Sequence, residues 1–412
     1  MHMRMLRRMV LAEGSGWGAV RTRAMLAVAL VAVLVVAGGL LPAAAQKPVT
    51  IGAPLALSGN LADSAAHIKR GYDLWLEEVS ARGGLLGRPV QFQIYDDRSE
   101  AATAARLTER LITSDKVDLL LAPFGSAGTS TASAVSEKHR MVMVNIAGAS
   151  ESIHQRGFKY IFQVVTPVAY YVEGTFPLAA KAGYKSLVLV ARDYAAARDM
   201  EKAIKIWAPQ NGIEIKMLEY FPAATTDFSS YIARARDLQP DIWVSVGYPP
   251  EAIEMIRQMK ATNYLPKLFV HNGVSQEDFL KATGKDAEYA FGMSLYEPSL
   301  PTKGNADFVK RFKAKYNYEP GYYAALGYAG CLILEEAVKK TGSLDQDKLA
   351  ATLRSLQTET AFGPYAVSET GAQTAKKGLI IQVLKGHREI VWPFAQKTAD
   401  AVLPMPAWNK RQ

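Results

Sequence analysis

Residues 118–150 read DLLLAPFGSAGTSTASAVSEKHRMVMVNIAGAS, and the reading of this stretch decides the fold. Asp118 to Ala122 and Met141 to Ile146 are short apolar runs bounded by Pro and Gly. Such runs read as strands buried on both faces of a parallel sheet, and the segment between them as a crossover helix. Ligands in open parallel sheets sit beyond the carboxyl ends of the strands, which points to Pro123–Thr131 and Ala147–Ser152.

A helix beginning near Thr129 leaves its first N–H groups unpaired and directs partial positive charge at whatever precedes it. The hydroxyls of Ser126, Thr129, Ser130 and Ser150 can join those donors around one anion, and a carboxylate fits. The same hydroxyls also suit simple capping of the helix, so the loop alone leaves both readings open.

Working outward, Val49–Leu57 reads as a strand, Ala62–Arg82 as a helix, Val90–Tyr95 as a strand and Ser99–Ser114 as a helix capped by Ser99. The alternation restarts with strands at Ser186–Ala191, Glu214–Phe221, Asp241–Gly247, Lys267–Asn272 and Phe291–Tyr296. Helices lie between them at Arg198–Gln210, Ser229–Asp237 and Glu251–Ala261. Two such α/β series predict two lobes with a cleft between them. Asn305–Tyr316, Tyr322–Lys340 and Asp345–Leu356 read as helices covering a lobe, and Gly378–Leu384 with Glu389–Trp392 as a closing hairpin.

At 412 residues, 49% hydrophobic and 21% charged, the chain suits two globular domains. Residues 1–45 are set apart: Arg21 and Arg23 precede an unbroken apolar run from Ala24 to Leu41, then Pro42 and three alanines. That is the pattern of an export signal with cleavage after Ala45, although the length of the run also suits an uncleaved anchor. Cys331 is the single cysteine, so no intramolecular disulfide forms and the core alone must stabilise the chain. The net charge of +9 is spread along the sequence with no aromatic-interleaved basic stripe, which argues against nucleic acid as a partner.

The six histidines show no paired spacing and there is no Cys pair, so no metal site is expected. Neither a phosphate loop nor a dinucleotide fingerprint occurs, and Ser126 lacks the G-x-S-x-G elbow of a hydrolase, so neither a cofactor nor an enzymatic activity is expected. Tyr194 and Tyr248 each follow a strand of the second series, where side chains project toward the cleft.

IGAPLALSG at 51–59, ARGGLLGRPV at 81–90, IYDDRS at 94–99 and the run from Leu119 to Asn145 together carry a resemblance. From residue 47 to 396 the chain resembles the periplasmic solute-binding proteins of branched-chain amino acid type ABC importers. The resemblance implies a type I periplasmic binding fold, two Rossmann-like α/β lobes with parallel central sheets joined by three crossovers near residues 167, 297 and 377. Lobe I would comprise residues 47–167 and 297–377, lobe II residues 168–296 and 378–396, with 397–412 a tail. It implies a monomer in the periplasm that closes over a small solute and hands it to an ABC permease in the inner membrane.

By the same resemblance, Ser126 and, with backbone help, Ala149 and Ser150 hold a ligand carboxylate, while Tyr194 and Tyr248 contact the ligand. Two positions depart from the amino acid binders. Asn272 stands where they carry a glutamate for the ligand ammonium, and Ser64 where they carry an aromatic residue. An ammonium closed into a cleft without a partner is costly, so the departures predict a carboxylate ligand without a required ammonium, with Phe124, Tyr194 and Tyr248 available to stack on it. Competing expectations are an ordinary aliphatic amino acid with Asp96, Asp97 or Glu297 supplying the charge, and a sensor for amides, urea or aromatic compounds acting through a partner protein.

Overall fold

The computed structural model describes residues 46–411, so the export signal read in residues 1–45 lies outside the described residues. From Pro48 onward the chain forms one unit built on two sheets. The first has the order β2-β1-β3-β4-β5, with β1 Val49–Leu55, β2 Val90–Asp96, β3 Leu119–Leu121, β4 Met143–Asn145 and β5 Ile161–Gln163, all parallel. The helices between them are α1 Ala62–Ala81, α2 Ala101–Thr113 and α3 Ser126–Lys138.

A separate hairpin pairs β11 Thr358–Thr360 with β12 Gly363–Tyr365, and the second sheet has the order β14-β13-β10-β9-β8-β6-β7. Its parallel part is β6 Ser186–Arg192, β7 Glu214–Phe221, β8 Ile242–Ser245, β9 Leu268–His271 and β10 Phe291–Ser294. The antiparallel hairpin of β13 Leu379–Leu384 and β14 His387–Trp392 extends it beyond β10. Short helices α4 Ala169–Val172 and α5 Thr175–Lys181 precede β6, while α6 Ala195–Gln210, α7 Ser229–Leu238, α8 Pro249–Ala261 and α9 Glu277–Thr283 intervene later. The remaining helices are α10 Asn305–Tyr316, α11 Tyr322–Thr341 and α12 Gln346–Ser355.

Burial follows strand position. The central strands β3 and β8 are buried at every residue, whereas the edge strands β2 and β7 are mostly half-buried, with one exposed residue each, Gln91 and Glu214. A central parallel strand is covered by helices on both faces, which is why LLL and IWVS can be wholly apolar or nearly so. The chain passes between the sheets three times, between Gln163 and Ser186, between Ser294 and the α10–α12 block, and between Tyr365 and Leu379.

The α10–α12 block belongs with the first sheet, because α11 packs lengthwise on α1. Their backbones meet at two glycines. A Cβ on Gly71 would lie 2.3 Å from the Ala324 carbonyl oxygen, and one on Gly327 would lie 2.2 Å from that of Ile68. This contact sets the position of the first turn of α11, which carries Tyr322 and Tyr323.

Several boundaries differ from the sequence reading. Helix α3 starts at Ser126, a full turn before Thr129, because Gly125 takes φ +86° and turns the chain into the helix early. Ser99 does not cap α2. It sits at φ +63°, where its hydroxyl accepts the Leu61 N–H at 3.1 Å and donates to the Ser58 carbonyl at 2.9 Å, and α2 begins at Ala101. Strand β5 is an addition, three residues too short to show a period. The tail is docked on the second lobe: the Met405 N–H donates to the Lys267 carbonyl at 2.9 Å, and Trp408 Nε1–H to that of Tyr264 at 3.0 Å.

Candidate functional site

The parallel order of both sheets brings their carboxyl ends face to face, and a cavity lies there. It encloses about 410 Å³, counting the open solvent at its mouth. Phe124, Ala147, Ala149, Val165 and Val168 come from loops after β3, β4 and β5, and Ser126 from the start of α3. Tyr194, Gly247, Tyr248 and Asn272 come from loops after β6, β8 and β9, and Tyr171, Tyr322, Tyr323 and Leu326 from α4 and α11.

Aromatic rings form most of the wall. Phe124 meets Tyr323 edge-on with centroids 5.0 Å apart and Tyr248 at 5.9 Å, while Tyr194 lies 6.1 Å from Tyr248. Offset and edge-to-face pairs of this kind leave ring faces and edges available to a planar guest. Burial pushes the Tyr248 phenol up to about 12 and raises those of Tyr171, Tyr194, Tyr322 and Tyr323, so all five stay neutral and can donate as well as accept.

Ser126 is the first residue of α3, whose opening N–H groups have no side-chain cap. Its Oγ accepts the Ser150 N–H at 3.2 Å, which leaves its own hydroxyl proton to be donated. The hydroxyl and the helix N-terminus together offer an acidic ligand oxygen several donors and a favourable field. None of the cavity-lining residues is an Asp, Glu, Lys, Arg or His.

Six of the residues singled out from sequence, Phe124, Ser126, Ala149, Tyr194, Tyr248 and Asn272, meet in this cavity. Ser150 and Ser64 are not among its lining residues. The Ser150 hydroxyl donates to Asp199 and pairs with Ser152 at 2.8 Å, and Ser64 is buried in the first turn of α1. Asn272 lines the wall with its amide committed to backbone, since Oδ1 accepts the Gly247 N–H at 3.0 Å and Nδ2 donates to the Gly247 carbonyl at 2.8 Å.

The acids named as alternative partners for an ammonium sit elsewhere. Glu297 accepts Arg388 Nε at 3.0 Å and Ser294 Oγ at 2.8 Å; Asp96 accepts the Leu57 and Ser58 N–H groups. Asp97 lines the outer mouth with Arg192, and burial pushes its carboxyl up to about 6. Arg192 is itself engaged, its guanidinium 2.9 Å from Glu251 and 4.9 Å from the centre of the Tyr248 ring.

Tyr171, Tyr322 and Tyr323 were not singled out from sequence. Two of them follow another tyrosine in a YY pair at a helix start, but only tertiary packing, of α4 on α6 and of α11 on α1, shows that they face the cavity.

Residues 48–388 match the sequence profile of the periplasmic binding proteins. The chain belongs to that family. Among its relatives is the leucine-, isoleucine-, valine-, threonine- and alanine-binding protein of Pseudomonas aeruginosa, 23% identical over 83% of this chain and 91% of the relative. Two solved structures share the fold. The branched-chain amino acid transporter substrate binding protein of Streptococcus pneumoniae, in complex with isoleucine, superposes with a TM-score of 0.76 at 24% identity, covering 87% of this chain and 100% of that one. A solute binding protein of an ABC transporter from R. palustris, in complex with benzoate, gives 0.78 at 22% identity, covering 86% and 98%. For this member of the family, the cavity between the sheets therefore lies in a periplasmic binding protein fold.

Proposed function

We propose that the chain is the extracytoplasmic solute-binding component of an ABC importer. Residues 1–45 direct its export, and it captures a small solute with a carboxylate and an aromatic or otherwise apolar body. The observation that carries the ligand class is the composition of the wall: donors at Ser126, the α3 N-terminus and neutral phenols, and no acidic side chain. A carboxylate finds partners there. An ammonium would be desolvated without a counter-charge, which is strongly unfavourable.

Solved structures that share the fold are named as transporter substrate- or solute-binding proteins, which supports a transport role, and among them are complexes with isoleucine and with benzoate. The wall described here favours a guest of the second kind. Binding proceeds by hinge closure at the three crossovers, burying the ring between Phe124, Tyr194, Tyr248 and Tyr323.

A thermal-shift and titration panel tests this with benzoate, cyclohexanecarboxylate, benzamide, leucine and isoleucine. A true ligand at 100 times its Kd stabilises by about 2.7 kcal/mol, a rise of roughly 2–4 °C for domains of this size. Shifts with the amino-free acids and none with leucine are expected. A shift with leucine alone overturns the ligand class and turns attention to Asp97 at the mouth.

A further inference from the structure

A carboxylate beside the cavity joins the two lobes. Asp199 lies in the second turn of α6, in the lobe of the seven-stranded sheet, and is 4% exposed. Its Oδ2 accepts the Ser150 hydroxyl and, at 3.0 Å, the Glu151 N–H, both from the loop after β4 in the other lobe. Oδ1 takes Lys202 Nζ at 2.8 Å from the same helix. Asp199 thus caps, from across the cleft, the short 3-10 turn Glu151–Ile153.

The connection runs on into the cavity. The residue whose hydroxyl Asp199 holds also donates its N–H to Ser126 Oγ at 3.2 Å, and Ser126 lines the wall. Holding the Ser150 N–H takes one lone pair of Ser126 Oγ and leaves its proton free to be donated inward. Hydrogen bonds to an ionised carboxylate are about twice as strong as neutral ones, and these two exist only while the lobes are together. They therefore bear wholly on the closed state, which a ligand buried between the lobes also favours.

We propose that Asp199 is a positioning residue that latches the lobes and, through Ser150, fixes the donor geometry of Ser126 toward the ligand. The inference rests on the cavity being the ligand site. Because the latch acts after encounter, it sets the rate of ligand release and leaves the rate of capture nearly untouched.

The test measures association and dissociation rates of benzoate with the full chain and its Asp199→Ala, Asp199→Asn, Lys202→Ala, Ser150→Ala and Ser150→Ala/Asp199→Ala variants. A second readout is the distance between one spin label on each lobe, with and without benzoate. Asp199→Ala should raise the dissociation rate about 10-fold with association within about 3-fold, and lengthen the interlobe distance. Lys202→Ala, which keeps both interlobe bonds, should stay within about 2-fold, and the double variant should be no worse than Asp199→Ala alone. If Asp199→Ala does not fold, Asp199→Asn decides, with a smaller rise in the same direction. Wild-type dissociation in the Asp199 variants overturns the latch, as does an equal change in Lys202→Ala. If benzoate does not bind the wild type, the ligand reading fails separately. The ligand-free distances then decide the latch: a longer distance in Asp199→Ala sustains it and an unchanged one overturns it.

Discussion

Asn272 and Gly247 are joined by two hydrogen bonds, one in each direction, so the side-chain amide of one residue pairs with both backbone polar groups of the other. Gly247 immediately precedes Tyr248, and the pairing holds the turn that presents this tyrosine to the cavity. A carboxylate at position 272 could accept from the Gly247 N–H but could not donate to its carbonyl. Asn272, expected from the resemblance to stand in place of a ligand-binding glutamate, is here a brace for the backbone.

Asn272→Asp tests the brace. It removes the donor and sets a buried carboxylate, 5% exposed at the native residue, against a carbonyl oxygen. The expected cost is about 2–4 kcal/mol at neutral pH, seen as a lower melting temperature and weaker ligand binding. Burial raises the introduced carboxyl, and a raised carboxyl costs least when protonated. The defect should therefore shrink as pH is lowered, because a protonated acid can donate to Gly247 again. A variant as stable as the wild type at every pH would remove the brace from the account.

Ser126 separates recognition of the ligand acid from recognition of its body. Ser126→Ala removes the cavity-lining hydroxyl at the start of α3 and leaves the Ser150 N–H without its acceptor. A hydrogen bond to a charged group is worth about 1.5–3 kcal/mol, so carboxylate affinity should fall roughly 10- to 100-fold. An uncharged analogue such as benzamide should lose less. Calorimetric titration of both probes checks this, and equal losses for the two would mean that Ser126 does not meet the acid.

The strands were legible because the central ones are uninterrupted apolar runs, and the cleft loops followed from the rule that parallel sheets bind ligands at their carboxyl ends. What sequence could not show is how polar groups divide among partners. Ser150 lies in the loop read as an anion site, yet its hydroxyl turns to Asp199, a residue 49 positions away on the other lobe. Glu297 was open to the cleft on paper and is held by Arg388 from the closing hairpin. Tyr171, Tyr322 and Tyr323 escaped notice for a related reason: a helix start identifies its residues, but the tertiary packing of α4 and α11 decides which of them face inward.

That packing makes its own prediction. Gly327→Ala and Gly71→Ala each place a methyl against a carbonyl oxygen of the facing helix, at separations of 2.2 and 2.3 Å that real atoms do not sustain. The helices must move apart, at a cost of about 1–3 kcal/mol. Because the first turn of α11 carries Tyr322 and Tyr323, ligand affinity should drop with stability. Melting and titration of Gly327→Ala check both effects, and an unchanged melting temperature would show that the helices are further apart than described.

Two buried groups give the stability opposite pH slopes. Burial holds His154 down to about 4, with Nε2 3.2 Å from Asn145 Nδ2 and Nδ1 3.2 Å from the Thr370 carbonyl. Between its unfolded value of 6.5 and that folded value, the unfolded chain binds a proton that the folded one refuses. Its stability contribution is therefore complete above 6.5 and lost as pH falls, by about 3 kcal/mol over the window. Asp97 works the other way. Its carboxyl is held up to about 6 by burial, so its contribution is complete below 3.8 and is lost as pH rises through about 6, again by about 3 kcal/mol. Urea unfolding at pH 4, 5.5 and 7 separates the two. Relative to wild type, His154→Gln should be most favourable at pH 4 and decline toward pH 7, while Asp97→Asn should gain steadily over the same range. Flat differences for both variants would mean that neither group is held away from its ordinary value in the folded chain.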